Sequence, residues 1–256
     1  MKKARGIFLK NEKELGFMRE AGRIVSRILD AVGEAVKPGV TTMLFEEIAL
    51  RMCEEYQVKP SFLGYLGFPY ATCCSVNEVI VHGFPNAERL LKEGDIVSVD
   101  MGVIYQGFHG DSARTFAVGE VSPAARRLMD VTRESLDLGI AQVRNGANLF
   151  DVSAAVQKHC EDAGFGIVRR FVGHGVGVKL HEKPEIPNFV PRGLPGVTLK
   201  PGMCLAIEPM VTEGSYDVDI LEDRWTAVTK DRKLAAHFEH TVAVTVDGPV
   251  ILTSSE

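Results

Sequence analysis

Residues 97–118 read VSVDMGVIYQGFHGDSARTFAV, a β-branched and aromatic run interrupted at Gln106-Gly107. This pattern predicts an antiparallel hairpin that turns at those two residues. Pairing Tyr105 with Phe108 sets Asp111 opposite Gly102. Side chains alternate between the faces of a strand, so Asp100 and Asp111 then share one face as diagonal neighbours, roughly 7–8 Å apart. A register shifted by one residue would split them, unless a glycine makes a bulge. Two like charges at that spacing repel when desolvated. Either a cation sits between them or both point into water.

Around this hairpin lies a chain of 256 residues, 45% hydrophobic, with a net charge of −5. That is enough apolar material for one large domain or two intimately packed halves. The acidic balance argues against a nucleic-acid binder that depends on a basic surface and leaves only a local patch such as Lys2-Lys3-Arg5. The apolar run in IFLKNEKE is far too short for a signal-peptide core or a membrane span, so the expected location is the cytoplasm, with no membrane partner. The five cysteines, Cys53, Cys73, Cys74, Cys160 and Cys204, show no CxxC spacing. They read as free thiols in a reducing compartment, and the vicinal Cys73-Cys74 pair points to opposite strand faces.

The chain reads as if written twice. Apolar residues Leu15, Met18, Val25, Ile28, Leu29, Val32 and Val36 recur at helical spacing until Lys37-Pro38-Gly39. A second helix begins near Thr41 or Thr42, residues that suit an N-cap, carries Glu46 and Glu47 in its early turns and runs to about Tyr56. SPAARRLMDVTRESLDLGIAQVRNG predicts a third helix ended by Asn145-Gly146, and NLFDVSAAVQKHCEDAG a fourth ended by Gly164. The two helix pairs align without a gap, with Gly39 on Gly146 and Cys53-Glu54 on Cys160-Glu161. The following strands match as well, LKEGDIVSVD closing on Asp100 and LKPGMCLAIE on Glu208. An internal duplication is the economical account. The expected architecture is α+β, each half two helices and an antiparallel sheet, with Asp100 and Glu208 approaching across a pseudo-two-fold axis.

Three further candidates lie in apolar or glycine-rich surroundings: His174 in FVGHGVG, Glu208 in CLAIEPM and Glu239 in AHFEHTVAVTV. Buried carboxylates are costly unless paired or metal-bound, and only Arg114, beside Asp111, offers a cation within these segments. Asp100, Asp111, His174, Glu208 and Glu239 can together hold two divalent cations if a carboxylate bridges. An oxygen-rich set without thiolate favours Mn²⁺, Fe²⁺ or Co²⁺, with Zn²⁺ admitted. His82 in VIVHGFP and His181 in VKLHEKPEIPNF are either surface histidines or hydrogen-bond donors to a substrate carbonyl beside such a centre.

Together, VNEVIVHGFP, DMGVIYQGFHGDSARTF, FVGHGVGVKLHEKPEIPNF, PGMCLAIEPM and FEHTVAVT resemble the type I methionine aminopeptidases of the pita-bread metallopeptidases (creatinase/aminopeptidase-like fold), from about Ile7 onward. The resemblance implies a single catalytic domain over residues 1–256, with pseudo-repeat halves at about 12–118 and 122–250. It implies that Asp100, Asp111, His174, Glu208 and Glu239 bind two metal ions, with a metal-bridging water or hydroxide as nucleophile. Glu208 would also serve as general base and acid, and His181 and His82 would contact the scissile amide. Tyr65, Phe68, Cys73, Leu180 and Trp225 match the positions of the methionine pocket, where an aromatic wall suits a thioether. The implied activity is removal of initiator methionine when the second residue is small. N-terminal Met peptides and nascent chains are the expected partners, with transient ribosome contact and a monomeric state. Leu180 stands where the family commonly has an aromatic residue. YDVDILEDRW is longer and more acidic than the usual link before the tryptophan. No cysteine-rich extension and no long type II helical insertion is apparent. The competing readings are a prolidase or aminopeptidase P, which usually carry another N-terminal domain, and a catalytically inactive binding homologue.

Overall fold

A computed structural model describes residues 2–4 and 6–254, the side chains of residues 2–4 excepted; the basic cluster Lys2-Lys3-Arg5 therefore lies outside what is described. The α-helices among the described residues are α1 (Glu12–Ala35), α2 (Met43–Glu55), α3 (Pro123–Ile140) and α4 (Leu149–Asp162). Asn11 opens α1 with a capping box, its Oδ1 accepting the Glu14 N–H at 3.0 Å while Glu14 Oε2 accepts the Asn11 N–H at 2.8 Å. Such a cap contributes about 1 kcal/mol.

Two helix ends depart from the sequence expectation. Thr42 precedes α2, but its hydroxyl accepts the Asn86 N–H at 2.9 Å and leaves the helix uncapped. Glu46, in the first turn, is buried and accepts the Ala71 N–H at 2.7 Å, the Thr72 N–H at 2.9 Å and the Thr72 hydroxyl at 2.6 Å. This carboxylate fixes the start of a strand as well as complementing the helix dipole. The other departure is α3, which stops at Ile140 rather than near Asn145. Its last turn tightens into i→i+3 bonds, Gln142 N–H to Gly139 O at 3.0 Å and Val143 N–H to Ile140 O at 2.9 Å. Val143 is thereby drawn into an apolar cluster with Leu149 and Leu199.

The strands that matter here are β1 (Thr72–Val76), β2 (Ile96–Tyr105), β3 (Phe108–Ala117), β4 (Gly173–Gly175), β5 (Cys204–Ile207) and β6 (Glu239–Val244). They belong to one sheet that runs Glu182–Ile186, β4, β5, β6, β3, β2, with β1 also paired to β2. The β2–β3 hairpin has Tyr105 opposite Phe108, Gly102 opposite Asp111 and Asp100 opposite Ala113, the register expected from sequence. β6 closes the seam between early and late strands, pairing Ile207 with His240 on one side and Ala113 with Glu239 on the other. Matched positions behave alike: Gly39 and Gly146 have φ of +88° and +86°. Their N–H groups donate to Leu91 O at 2.8 Å and Leu199 O at 2.9 Å.

The correspondence fails after the matched acids. β2 continues to Tyr105, whereas β5 ends at Ile207 and Pro209, lacking an N–H, breaks the ladder. The chain then moves to a separate three-stranded sheet, where Met210–Thr212 pairs with Ala235–His237 and Gly166–Ile167. Helix α1 lies so close to β3 that a Cβ on Gly110 would come within 2.6 Å of Gly22 N. All five cysteines are free and buried. Among the described residues, no helix is long and apolar enough to cross a membrane.

Candidate metal centre

At the seam, the inward faces of β2, β3 and β6, the end of β5 and the middle of β4 surround a cavity of about 240 Å³. Asp100, Asp111, His174, Glu208 and Glu239 all line it. Asp111, His174 and Glu239 each offer a ligand atom within 4.8 Å of the others. His174 Nε2 lies 3.8 Å from Asp111 Oδ2 and 3.6 Å from Glu208 Oε1. Two ligands on one first-row cation, each at about 2.0–2.2 Å, stand roughly 3–4.4 Å apart, so these separations suit a shared ion.

The positions are over-determined. His174 Nδ1–H donates to Gly175 O at 3.0 Å, which leaves the Nε2 lone pair facing the carboxylates. Thr241 Oγ1 accepts the Asp111 N–H at 3.2 Å and donates to Asp111 O at 2.8 Å. Ser112 Oγ donates to Glu239 O at 2.6 Å. Arg114 does not neutralise the cluster. Standing an odd number of residues from Asp111, it faces the other side of β3, where it pairs with Asp30 and donates to Ser26 Oγ at 2.6 Å.

One oxygen on each of three of these carboxylates lacks a partner. Asp100 Oδ1, Asp111 Oδ1 and Glu239 Oε1 are buried without a hydrogen bond. Burial and mutual repulsion hold Asp100, Glu208 and Glu239 well above the usual carboxylate range, and burial raises Asp111 to about 7. Burial with the neighbouring His181 brings His174 down to about 3. Four acids that otherwise retain protons, together with a neutral imidazole, form a donor set that divalent cations satisfy. The residues present fit such ions.

The same cavity brings in the remaining candidates, Tyr65, Phe68, Cys73, His82, Leu180, His181 and Trp225. The Phe68 and Trp225 rings meet edge-to-face at 5.1 Å. His82 has a left-handed backbone, φ +60°, which is uncommon outside glycine and sets its imidazole beside Phe171 at 5.2 Å. Burial, reinforced by His181, lowers His82 to about 4. His181 packs on His174 at 4.2 Å between ring centres, and its Nδ1 shares a 2.7 Å hydrogen bond with the Tyr65 hydroxyl.

The acidic segment before Trp225 is a hairpin, Val218–Ile220 paired with Ala227–Thr229. Asp223 Oδ1 shapes its turn, accepting the N–H groups of Trp225 and Thr226, both at 2.8 Å. The extra acid thus fixes the tryptophan.

Several residues that sequence reasoning did not single out also face the cavity, among them Phe62, Leu66, Val81, Phe171 and Met210. The most consequential omission is His237. It is 1% exposed, and its Nε2 has no hydrogen-bond partner and stands 3.6 Å from Glu208 Oε2. Its one sequence signal is its place two residues before Glu239, but strand alternation does not link the two, because His237 ends one strand and Glu239 begins another in a different sheet.

Comparison with known proteins identifies what the chain is similar to. The model of metallopeptidase family M24 matches residues 16–246. A methionine aminopeptidase of Clostridium acetobutylicum is 48% identical over 98% of this chain and 100% of its own. Methionine aminopeptidase 1 of Bacillus subtilis is 49% identical over 96% and 99%. The crystal structure of a Thermotoga maritima methionine aminopeptidase superposes with a TM-score of 0.94 at 48% identity, covering 97% of this chain and 99% of that one. A Pyrococcus horikoshii prolidase shares the fold at a TM-score of 0.78 and 20% identity, over 97% of this chain and 64% of its own.

Proposed function

From the chain's membership of metallopeptidase family M24, among its methionine aminopeptidases, we propose how its cavity performs the removal of initiator methionine. The fold is the pita-bread fold. Asp100, Asp111, His174, Glu208 and Glu239 hold two divalent ions, with Mn²⁺, Fe²⁺ or Co²⁺ favoured by the oxygen-rich set. Bound there, such ions supply Lewis-acid activation of a water and of the scissile carbonyl.

The protein's own groups do the rest. The methionine side chain enters between Phe68, Trp225, Tyr65, Cys73 and Leu180, where aromatic edges accommodate sulfur. His82 and His181 donate hydrogen bonds to the scissile carbonyl oxygen as charge develops on it. The depressed proton affinity of His82 keeps it a neutral donor at physiological pH. Glu208, at the end of β5, takes a proton from the attacking water and passes it to the leaving amine. The surrounding walls restrict the second residue to a small side chain. Peptides and nascent chains are the substrates, met by a cytoplasmic monomer during brief ribosome contact.

The observation that carries this reading is the buried carboxylate cluster, with three of its oxygens unpartnered, against an aromatic pocket. Hydrolysis of Met-Ala-Ser, Met-Lys-Ser and an Xaa-Pro peptide, with Mn²⁺, Fe²⁺ or Co²⁺ supplied in turn, tests it. Release of methionine from Met-Ala-Ser alone is expected. Cleavage of the Xaa-Pro peptide instead would overturn the reading in favour of a prolidase.

A further inference from the structure

Away from the carboxylate cluster, two opposite charges are removed from water together. Lys10 Nζ lies 2.7 Å from Glu182 Oε2, with the side chains 2% and 1% exposed. Desolvating both ions costs heavily, and apolar residues of similar volume are often as stable in such a place. Stability alone therefore does not account for the pair, and its location suggests another reason. Glu182 directly follows His181 in the chain. Its second oxygen, Oε1, accepts the Lys179 N–H at 3.2 Å, so the carboxylate spans the turn that carries Leu180 and His181.

Both partners are anchored to the body of the molecule. The Lys10 N–H donates to Gly202 O at 2.7 Å, and its Nζ also reaches Phe8 O at 3.4 Å. On the other flank, the His109 N–H donates to Gly177 O at 2.8 Å, and His109 Nδ1 shares a 2.9 Å hydrogen bond with Ser61 Oγ. The turn from Gly177 to Glu182 is thus clamped from below, while the exposed His181 at its tip is held by its bond to Tyr65 and its packing on the His174 ring.

We propose that Lys10 and Glu182 form a positioning pair that holds the Gly177–Glu182 turn so that His181 faces the substrate carbonyl and Leu180 the methionine pocket. The proposal rests on the role given to His181 above. Neither residue touches substrate; both act through the turn.

The test compares Lys10→Met/Glu182→Leu with His181→Ala and with the combined triple variant. The double variant is expected to keep or raise its thermal midpoint and to bind divalent ions with unchanged stoichiometry by calorimetry. Its kcat on Met-Ala-Ser falls by about tenfold or more with little change in KM, as expected for a misplaced catalytic group. Adding His181→Ala to it causes no comparable further loss. Amide exchange at Lys179, His181 and Glu182 quickens in the metal-free double variant and stays unchanged elsewhere. Wild-type kcat, or a full additional loss on removing His181, overturns the proposal, as does unaltered exchange in the turn. If the double variant does not fold, Lys10→Gln takes its place in the exchange and kcat measurements, with the same outcomes supporting or overturning the pair's role. If His181→Ala is itself fully active, the role of His181 fails, while the exchange data still decide whether the pair holds the turn.

Discussion

In the proposed mechanism Glu208 has two duties, ligand and proton carrier, and it stands just beyond the end of β5, next to Pro209. Glu208→Gln keeps the shape and removes the proton acceptor. Its kcat on Met-Ala-Ser should fall by about 10²–10⁴-fold, the usual contribution of a general acid–base group, with folding preserved by circular dichroism. Retention of most of the activity would assign the proton transfer elsewhere. At this scale the sequence is generous with ligands and poor in their supporting partners. Asp100 and Asp111 are legible because strand alternation and one hairpin register place both on a single face. The contact of His237 with Glu208 is not, because it joins separate sheets. Nor is the Lys10–Glu182 pair, since no periodicity relates residues 172 positions apart.

Among the elements, α1 and β3 are coupled by a close backbone approach. Gly22 and Gly110 meet backbone to backbone, and a Cβ on Gly110 would lie 2.6 Å from Gly22 N and 2.8 Å from Ala21 C. No side-chain rearrangement relieves a clash between backbones. Gly110→Ala should therefore destabilise the protein by about 1–3 kcal/mol or more, measured by denaturant unfolding. It should also weaken divalent-ion binding, because Asp111 is the next residue. Wild-type stability and affinity would show that helix and strand separate easily. Element existence is readable from apolar spacing in all four helices, yet their ends are less so. Residue type suggests Asn145-Gly146 as the end of α3, but burial of Val143 ends it earlier. Thr42 has the chemistry of a cap, and a loop amide claims its hydroxyl.

For the whole molecule, metal loading and proton release should be linked. Asp111 is raised to about 7 by burial, and Asp100, Glu208 and Glu239 are also raised. Groups whose proton affinity is higher in the folded state favour folding at low pH, and they lose that contribution as pH rises through the folded value. In the metal-free chain the cluster therefore becomes more destabilising from about pH 4 to 7. Cations that replace the protons should bind more tightly over the same range and stabilise most at its upper end. Calorimetry at pH 5.5 and 7.5, in buffers of different ionisation enthalpy, should show higher affinity and proton release; pH-independent affinity without release would contradict the assignment. The sheet order adds a consequence for biosynthesis. Asp100 and Asp111 leave the ribosome long before β6, which must insert beside β3 to deliver Glu239. Until then the first two acids stand without their later partners, so a centre built from the five proposed ligands would be completed only late in folding. Ion capture would then be a maturation event, with the chain inert as a hydrolase for most of its own synthesis.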